Sequence, residues 1–285
     1  MDVAAYQRET FKRGSTTYFN SSLFFPEKIR RRVFTLYAFV RRADDLVDSI
    51  PQREAEFYVF RSFTRDVLAG REDLTPPALL SQEDRGVILA YGDLAREMGF
   101  SPSWTEAFLD AMQADLTKSR YDTLEETLGY VYGSAEVIGL FMCACMGITP
   151  EAYPTAQLLG RAMQYINFIR DMDEDRRLNR RYLPLDGADE RIIDPAWARD
   201  HPGEFQRWIT IQLERFRTWQ IKALQGYAYL PYRFRLPIVT ASDMYWWTAE
   251  TIERDPLIVF EKKVKPRRGR IVRRLIRNFF IEVFR

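Results

Sequence analysis

Apolar residues recur every three or four positions along almost the whole chain, the period of helices that bury one face. The clearest run is 27–49, where Ile29, Val33, Leu36, Tyr37, Val40, Ala43, Leu46 and Val47 mark one side. Pro26 suits its start and Pro51 its stop. The same period predicts helices over 53–69, 85–98 and 103–116, the last after Ser101 and Pro102. The segment TLEETLGYVYGSAEVIGLFMCACMG (123–147) is apolar on most sides and reads as a central, buried helix. Further helices are predicted over 153–177, 204–229 and 237–253, while the proline-bearing stretches 70–84 and 183–204 read as loops. No strand alternation of useful length, long repeat or low-complexity linker intervenes. The expectation is an all-α, single-domain helical bundle over 1–261, followed by a tail over 262–285.

Composition narrows the chemistry. With 46% hydrophobic and 29% charged residues, 285 residues can bury a sizeable core, so disorder and disulfide scaffolds are excluded. The longest uncharged apolar run, Val137 to Ile148, is too short to span a bilayer as a helix. The opening MDVAAYQRETFKRG has no apolar stretch of the secretory kind. Cys143 and Cys145 read as two buried thiols in a reducing compartment. The single histidine, His201, excludes a two-histidine zinc motif, and neither GxGxxG nor GxxxxGK[ST] occurs. Any chemistry must run on carboxylates, arginines, tyrosines and amides.

Charge is unevenly distributed. From Lys262 onward ten Lys/Arg face one acid, Glu282, a net +9 that leaves −7 on residues 1–261. In the tail, apolar pairs at Ile271/Val272, Leu275/Ile276 and Phe279/Phe280 alternate with Arg270, Arg273, Arg274 and Arg277. This is a basic amphipathic helix, suited to an anionic membrane surface or to docking on the body. Nucleic acid fits less well, because the acidic body repels a phosphate backbone.

Two acidic clusters stand out. Asp44 and Asp48, with Asp45 between, share a helix face and repel unless a cation lies between them. Gln164, Asn167, Asp171 and Asp175 fall on a second stripe at i, i+3, i+7 and i+11. An amide oxygen with carboxylates is the hard-oxygen set that Mg²⁺ prefers, with ligand phosphates completing the shell. One such pair is common on a solvated helix. Two in one all-α chain point to cations holding a diphosphate, with Arg41 and Arg170 on its oxygens. Metal-assisted loss of diphosphate from an allylic carbon needs that arrangement and an apolar, aromatic pocket.

These residues bring the chain to a known family. YAFVRRADDLVD (37–48) is similar to the pattern Y-A-x-x-R-x-x-D-D-x-x-D, and DLTKSRYDTLEETLGYVYGSAEVIGL (115–140) to D-L-x-x-x-R-Y…Y-C-Y-x-V-A-x-x-V-G. GRAMQYINFIRDMDEDRRLNRRYLP (160–184) resembles G-x-A-x-Q-x-x-N-I-L-R-D-x-x-E-D…G-R-x-Y-L-P, and STTYFNSSLFFP (15–26) the opening segment. The chain thus resembles the squalene/phytoene synthase family of head-to-head isoprenoid synthases from about Ser15 to Lys263, and most of all its bacterial and archaeal phytoene-forming members.

The resemblance implies an isoprenoid synthase (class I prenyltransferase) bundle with a central cavity. It implies metal ligation by Asp44, Asp48, Asn167, Asp171 and Asp175 with two or three Mg²⁺, or Mn²⁺ in their place. Catalytic roles fall on Asp44, Asp48, Asp171, Asp175 and Tyr130. Substrate contacts fall on Ser15, Thr17, Tyr37, Arg41, Gln164, Arg170, Tyr182 and Tyr245, with Lys262 where relatives often carry arginine. The implied reaction joins two geranylgeranyl diphosphates through a cyclopropyl-carbinyl diphosphate to phytoene, with no NADPH. The alternatives are squalene or dehydrosqualene formation from two farnesyl diphosphates, a class I terpene cyclase, and a non-catalytic membrane-peripheral assembly protein of the same fold. The implied location is cytoplasmic, peripheral to the inner face of the membrane. Val131, Glu136 and Asn179 depart from the family pattern; Ser134-Ala135-Glu136 stands where many relatives read V-A-G or V-A-x, and an acid near the cavity is unexpected.

Overall fold

The computed structural model describes residues 25–71 and 75–283. They form two compact units, one built up to Thr117 together with Leu140–Pro150, the other from Lys118–Gly139 and from Glu151 onward.

In the first unit α1 (Glu27–Asp48) follows Pro26, whose fixed φ presets the first turn, and stops where Ser49 turns extended ahead of Pro51. Its apolar side, including Val33, Leu36, Phe39, Ala43, Leu46 and Val47, is buried. Three more helices pack with it: α2 (Glu54–Leu68), α3 (Gln82–Met98) and α4 (Pro102–Thr117). α3 starts three residues before its expected position. Ser81 caps it, accepting from the Asp84 backbone N–H at 3.0 Å, so the proline-bearing loop is shorter than composition suggests. The core is aromatic. Phe39 stacks on Tyr91 with centroids 3.7 Å apart, and Phe60 and Phe108 close around Phe39. Phe141 packs against Phe100 at 4.8 Å and Trp104 at 5.7 Å. The Tyr91 hydroxyl is satisfied by Thr105 at 2.6 Å.

The apolar segment expected to form one central helix is three pieces: α5 (Leu124–Val131), a π-helical turn (Tyr132–Glu136) and α6 (Val137–Met146). A full capping box starts it, Thr123 accepting from Glu126 N–H while the Glu126 carboxylate takes Thr123 N–H. The run Leu124–Met146 is long and apolar enough to cross a bilayer, yet 56% of its most apolar window is buried inside the protein. Glu136, 2% exposed, sits in its middle, so it is a core helix. Both cysteines are free and buried, and burial pushes the Cys143 thiol up to about 11.

In the second unit α7 (Tyr153–Arg170) packs along α10 (Pro202–Ala223). Tyr165 donates to Gln212 at 2.5 Å and meets Trp219 edge-on at 5.0 Å. Asp186 ties the pair from the connecting loop, taking two 2.7 Å bonds from Arg215. Glycines allow backbone contact: a Cβ at Gly160 would lie 2.4 Å from Ala135 O, and one at Gly139 2.5 Å from Ala156 O.

The expected helix 153–177 breaks at Asp171, whose φ of −98° and ψ of 10° leave the helical range, and α8 (Met172–Arg177) resumes after it. Residues 183–204 hold more helix than their prolines suggest. Pro195 and Pro202 occupy first-turn positions of α9 (Pro195–Asp200) and α10, where a missing N–H costs nothing. α11 (Tyr232–Arg254) starts five residues before Pro237 and carries that proline in its second turn. After the short α12 (Ile258–Glu261), the basic tail forms α13 (Arg268–Val283) and docks on α11.

Candidate active site

The first unit presents Tyr37, Arg41, Asp44 and Asp48 along one side of α1. Arg41 donates to Asp44 at 2.9 Å and to Asp45 at 2.5 Å. The Asp44 side chain is 32% exposed and lies among like charges. Burial and the Asp48 charge, with Asp45 and Asp115 adding and Arg41 opposing, push its carboxyl up to about 7. Burial, with Asp44 and Asp45 adding, likewise raises Tyr37 against Arg41. Asp115, buried on α4, is a fourth carboxylate that motif reading did not single out, although it opens the DLTKSRY segment.

The second unit carries the other stripe across the α7–α8 break. Gln164 accepts from the Asn167 amide at 3.4 Å, while Asn167 Oδ1 is buried with no hydrogen-bond partner among the described residues. Arg170 grips Asp171 with two bonds, of 2.8 and 2.5 Å. Lys263 reaches Asp171 at 3.1 Å and also pairs with Glu174. Lys263, which motif reading did not single out, is thus the lysine that pairs with the stripe. Burial and the Asp171 charge push Asp175 up to about 7, against Arg180 and Lys263. Beside Arg170 lies a cavity of about 150 Å³ into which Arg177, Lys262 and Lys263 also project.

Tyr130 and Tyr182 meet in an aromatic cluster with two residues not anticipated, Tyr121 and Phe168. Tyr182 stacks on Phe168 at 4.5 Å and lies 5.0 Å from Tyr130 and 5.6 Å from Tyr121. Phe168 follows Asn167 on α7, so the cluster adjoins the stripe. Arg181 fixes it from behind, donating to the carbonyls of Tyr121 and Leu183 at 2.7 and 2.9 Å. Thr127 donates to the Tyr182 carbonyl at 2.8 Å. Asn179 adopts a φ of +57°, which explains why a glycine suits that position in G-R-x-Y. Glu136 accepts from Arg161 Nε at 2.6 Å, so the unexpected acid is neutralised by a side chain one turn before Gln164. Tyr245 is half-buried on α11, away from both clusters in sequence. Ser15 and Thr17 lie outside the described residues.

The donors fit Mg²⁺ in kind: all are oxygens, Asn167 Oδ1 lacks a partner, and like charge strains Asp44 and Asp175. Among the described residues no three carboxylates converge at ligand distance; arginine and lysine side chains hold them instead.

Comparison places this architecture. A squalene synthase, HpnC, from Alicyclobacillus acidocaldarius superposes with a TM-score of 0.76 at 22% identity, over 88% of this chain and 93% of its own. A dehydrosqualene synthase solved with a ligand gives 0.79 at 19% identity, over 99% of this chain and 97% of its own. The fold is that of the isoprenoid synthases. The sequence model for squalene/phytoene synthase matches residues 11–270, and the chain belongs to that family, which makes it a prenyltransferase-type enzyme. A phytoene synthase of Rhodobacter capsulatus is 32% identical over 84% of this chain and 69% of its own length. That of Pseudescherichia vulneris is 29% identical over 83% and 78%.

Proposed function

We propose that the enzyme condenses two geranylgeranyl diphosphates head to head into phytoene, in a Mg²⁺-dependent reaction of carotenoid biosynthesis. The observation that carries this is the intact pair of oxygen-only stripes in a chain about 30% identical to phytoene synthases. Asp44 and Asp48 would hold metal on α1, and Asn167, Asp171 and Asp175 on α7 and α8. Bound Mg²⁺ would supply Lewis-acid neutralisation of the departing diphosphate.

The chain's own residues do the rest. Arg41, Arg170 and Lys263 offer N–H donors to diphosphate oxygens, replacing water around the leaving group. The aromatic cluster of Tyr121, Tyr130, Tyr182 and Phe168 would give an apolar wall that keeps water from quenching a developing carbocation. The first diphosphate leaves an allylic cation, and the double bond of the second substrate attacks it. Proton loss closes the cyclopropane. Departure of the second diphosphate, rearrangement and loss of a second proton complete the hydrocarbon, with no reductant consumed. Tyr130 is the group we assign to steering a proton or hydrogen-bonding the leaving diphosphate. An insoluble C40 product needs an apolar sink, and we place the enzyme in the cytoplasm, at the inner face of the membrane.

The test is incubation of the purified protein and Mg²⁺ with geranylgeranyl or farnesyl diphosphate, with and without NADPH, reading hydrocarbons by mass. A C40 product from geranylgeranyl diphosphate without NADPH is expected. A C30 product from farnesyl diphosphate alone would move the enzyme to the squalene or dehydrosqualene branch. No product from either would overturn the catalytic reading.

A further inference from the structure

α13 is clamped to the body, yet it keeps an apolar face outside. The clamp is polar. Arg274 holds Asp243 on α11, with two bonds of 2.6 and 2.8 Å. Asn278, 4% exposed, donates to Asp243 at 2.6 Å and to Thr240 at 3.2 Å. The Arg270 guanidinium lies over the Trp247 ring at 4.6 Å. The partners step backward along α11 as α13 advances, so the two helices run antiparallel.

At about 100° per residue, Val272, Ile276, Phe279 and Phe280 share roughly a quarter of the helix surface, well away from the side of Arg274 and Asn278. They remain 52%, 52%, 45% and 55% exposed. A docked terminal helix ordinarily turns its apolar side inward; this one satisfies its dock with ionic and amide contacts and points a ridge outward. Arg273 and Arg277, both exposed, flank the ridge on one side and Arg268 on the other. At the end of α11 toward which α13 runs, Tyr232 is also exposed, and tyrosine favours the interface between water and lipid. No acid occurs between Lys262 and Ile281 to repel an anionic surface. An apolar ridge rimmed by arginine complements one partner on both counts, an anionic bilayer whose acyl boundary takes the ridge and whose headgroups take the guanidinium groups.

We propose that the outer face of α13 is a preformed docking surface for anionic lipid bilayers, engaging as a helix already fixed to the body rather than as a free tail. This deepens the membrane-peripheral reading above and rests on it.

The test is co-sedimentation of the full chain with vesicles of phosphatidylcholine alone or of phosphatidylcholine with phosphatidylglycerol. Binding to the anionic vesicles is expected, at least tenfold above neutral ones and weakened by salt. Arg273→Gln with Arg277→Gln should weaken it about fivefold per charge, roughly 30-fold together. Ile276→Asp with Phe280→Asp should abolish it while the melting temperature stays put. Vesicle binding that survives the aspartate pair overturns the proposal, as does a wild-type chain that ignores anionic vesicles. A dimer in light scattering that Phe280→Asp dissolves, without vesicle binding, would give the ridge to a second copy and overturn it too. Turnover in detergent separates this from the reaction. Wild type that binds vesicles but makes no hydrocarbon sinks the condensation and leaves the surface standing; hydrocarbon without vesicle binding does the reverse.

Discussion

Gly160→Ala isolates how α7 is held. An added Cβ would sit 2.4 Å from the carbonyl oxygen of Ala135 and 3.0 Å from its carbon. That is about 1 Å inside van der Waals contact, so α7 and the π-turn must separate. Overpacking costs about 1–3 kcal/mol. The upper end applies, because the obstacle is backbone and no side chain can swing away. Alanine returns about 1 kcal/mol of helix propensity. The net is about 2 kcal/mol of destabilisation, a fall of about 3 °C in melting temperature for a chain this long. Gly129→Ala, in α5, is the control: its Cβ meets nothing within 4 Å, so only the propensity gain of about 1 kcal/mol remains and melting should rise by 1–2 °C. Because α7 carries Gln164, Asn167 and Arg170, Gly160→Ala should also lower turnover, by tenfold or more, while Gly129→Ala leaves it unchanged. Thermal melts with a Mg²⁺-dependent turnover assay decide the matter. If both variants melt higher than wild type, or Gly160→Ala keeps full activity, the backbone contact does not constrain the stripe.

Asp48→Ala should cut turnover at least 10³-fold with melting almost unchanged, since it is exposed, and Asp171→Ala should cut turnover as far while lowering melting as well, since it strands Arg170; near-normal Mg²⁺-dependent rates would refute either assignment. Asp44 and Asp175 keep their protons in the folded state up to about pH 7, whereas the unfolded chain releases them near 3.8. Between those values the folded state binds more protons, so metal-free stability should fall as pH rises through about 4–7 and level off above. The rise in melting temperature on adding Mg²⁺ should grow over the same window, and equal rises at about pH 5.5 and 7.5 would refute that linkage. Glu136→Ala strands Arg161, whose side chain is 26% exposed, and should cost about 2–3 kcal/mol, below the range for a fully buried pair. Glu136→Leu with Arg161→Met should recover most of it in denaturant melts, and a double variant no better than the single would count against a neutralising pair.

Much of the molecule is legible in one dimension. The 3.6-residue period located the helices because each buries one face, and α1 lies within a residue of its expected limits. Asp44, Asp48, Asn167, Asp171 and Asp175 could be singled out because spacing along a helix fixes which side chains share a side. Misplaced boundaries trace to local chemistry that competes with composition: Ser81, Pro195 and Pro202 read as loop residues but start helices. The π-turn at 132–136 leaves no periodic signal; it lies where Gly160 admits the Ala135 backbone closely, a contact between distant segments.

What sequence alone determined is the inventory: an all-α chain, two oxygen-only stripes, and a basic amphipathic end. Tertiary structure decided the partners, because contacts between distant segments depend on packing rather than on spacing. It set Asp115 among the acids of α1, put Lys263 on Asp171, and closed Tyr121 and Phe168 around Tyr130 and Tyr182. It matched Glu136 with Arg161. It also docked the tail on α11 through Asp243 and left the opposite side of α13 exposed, since a helix has more than one side and Asp243 needs only one of them.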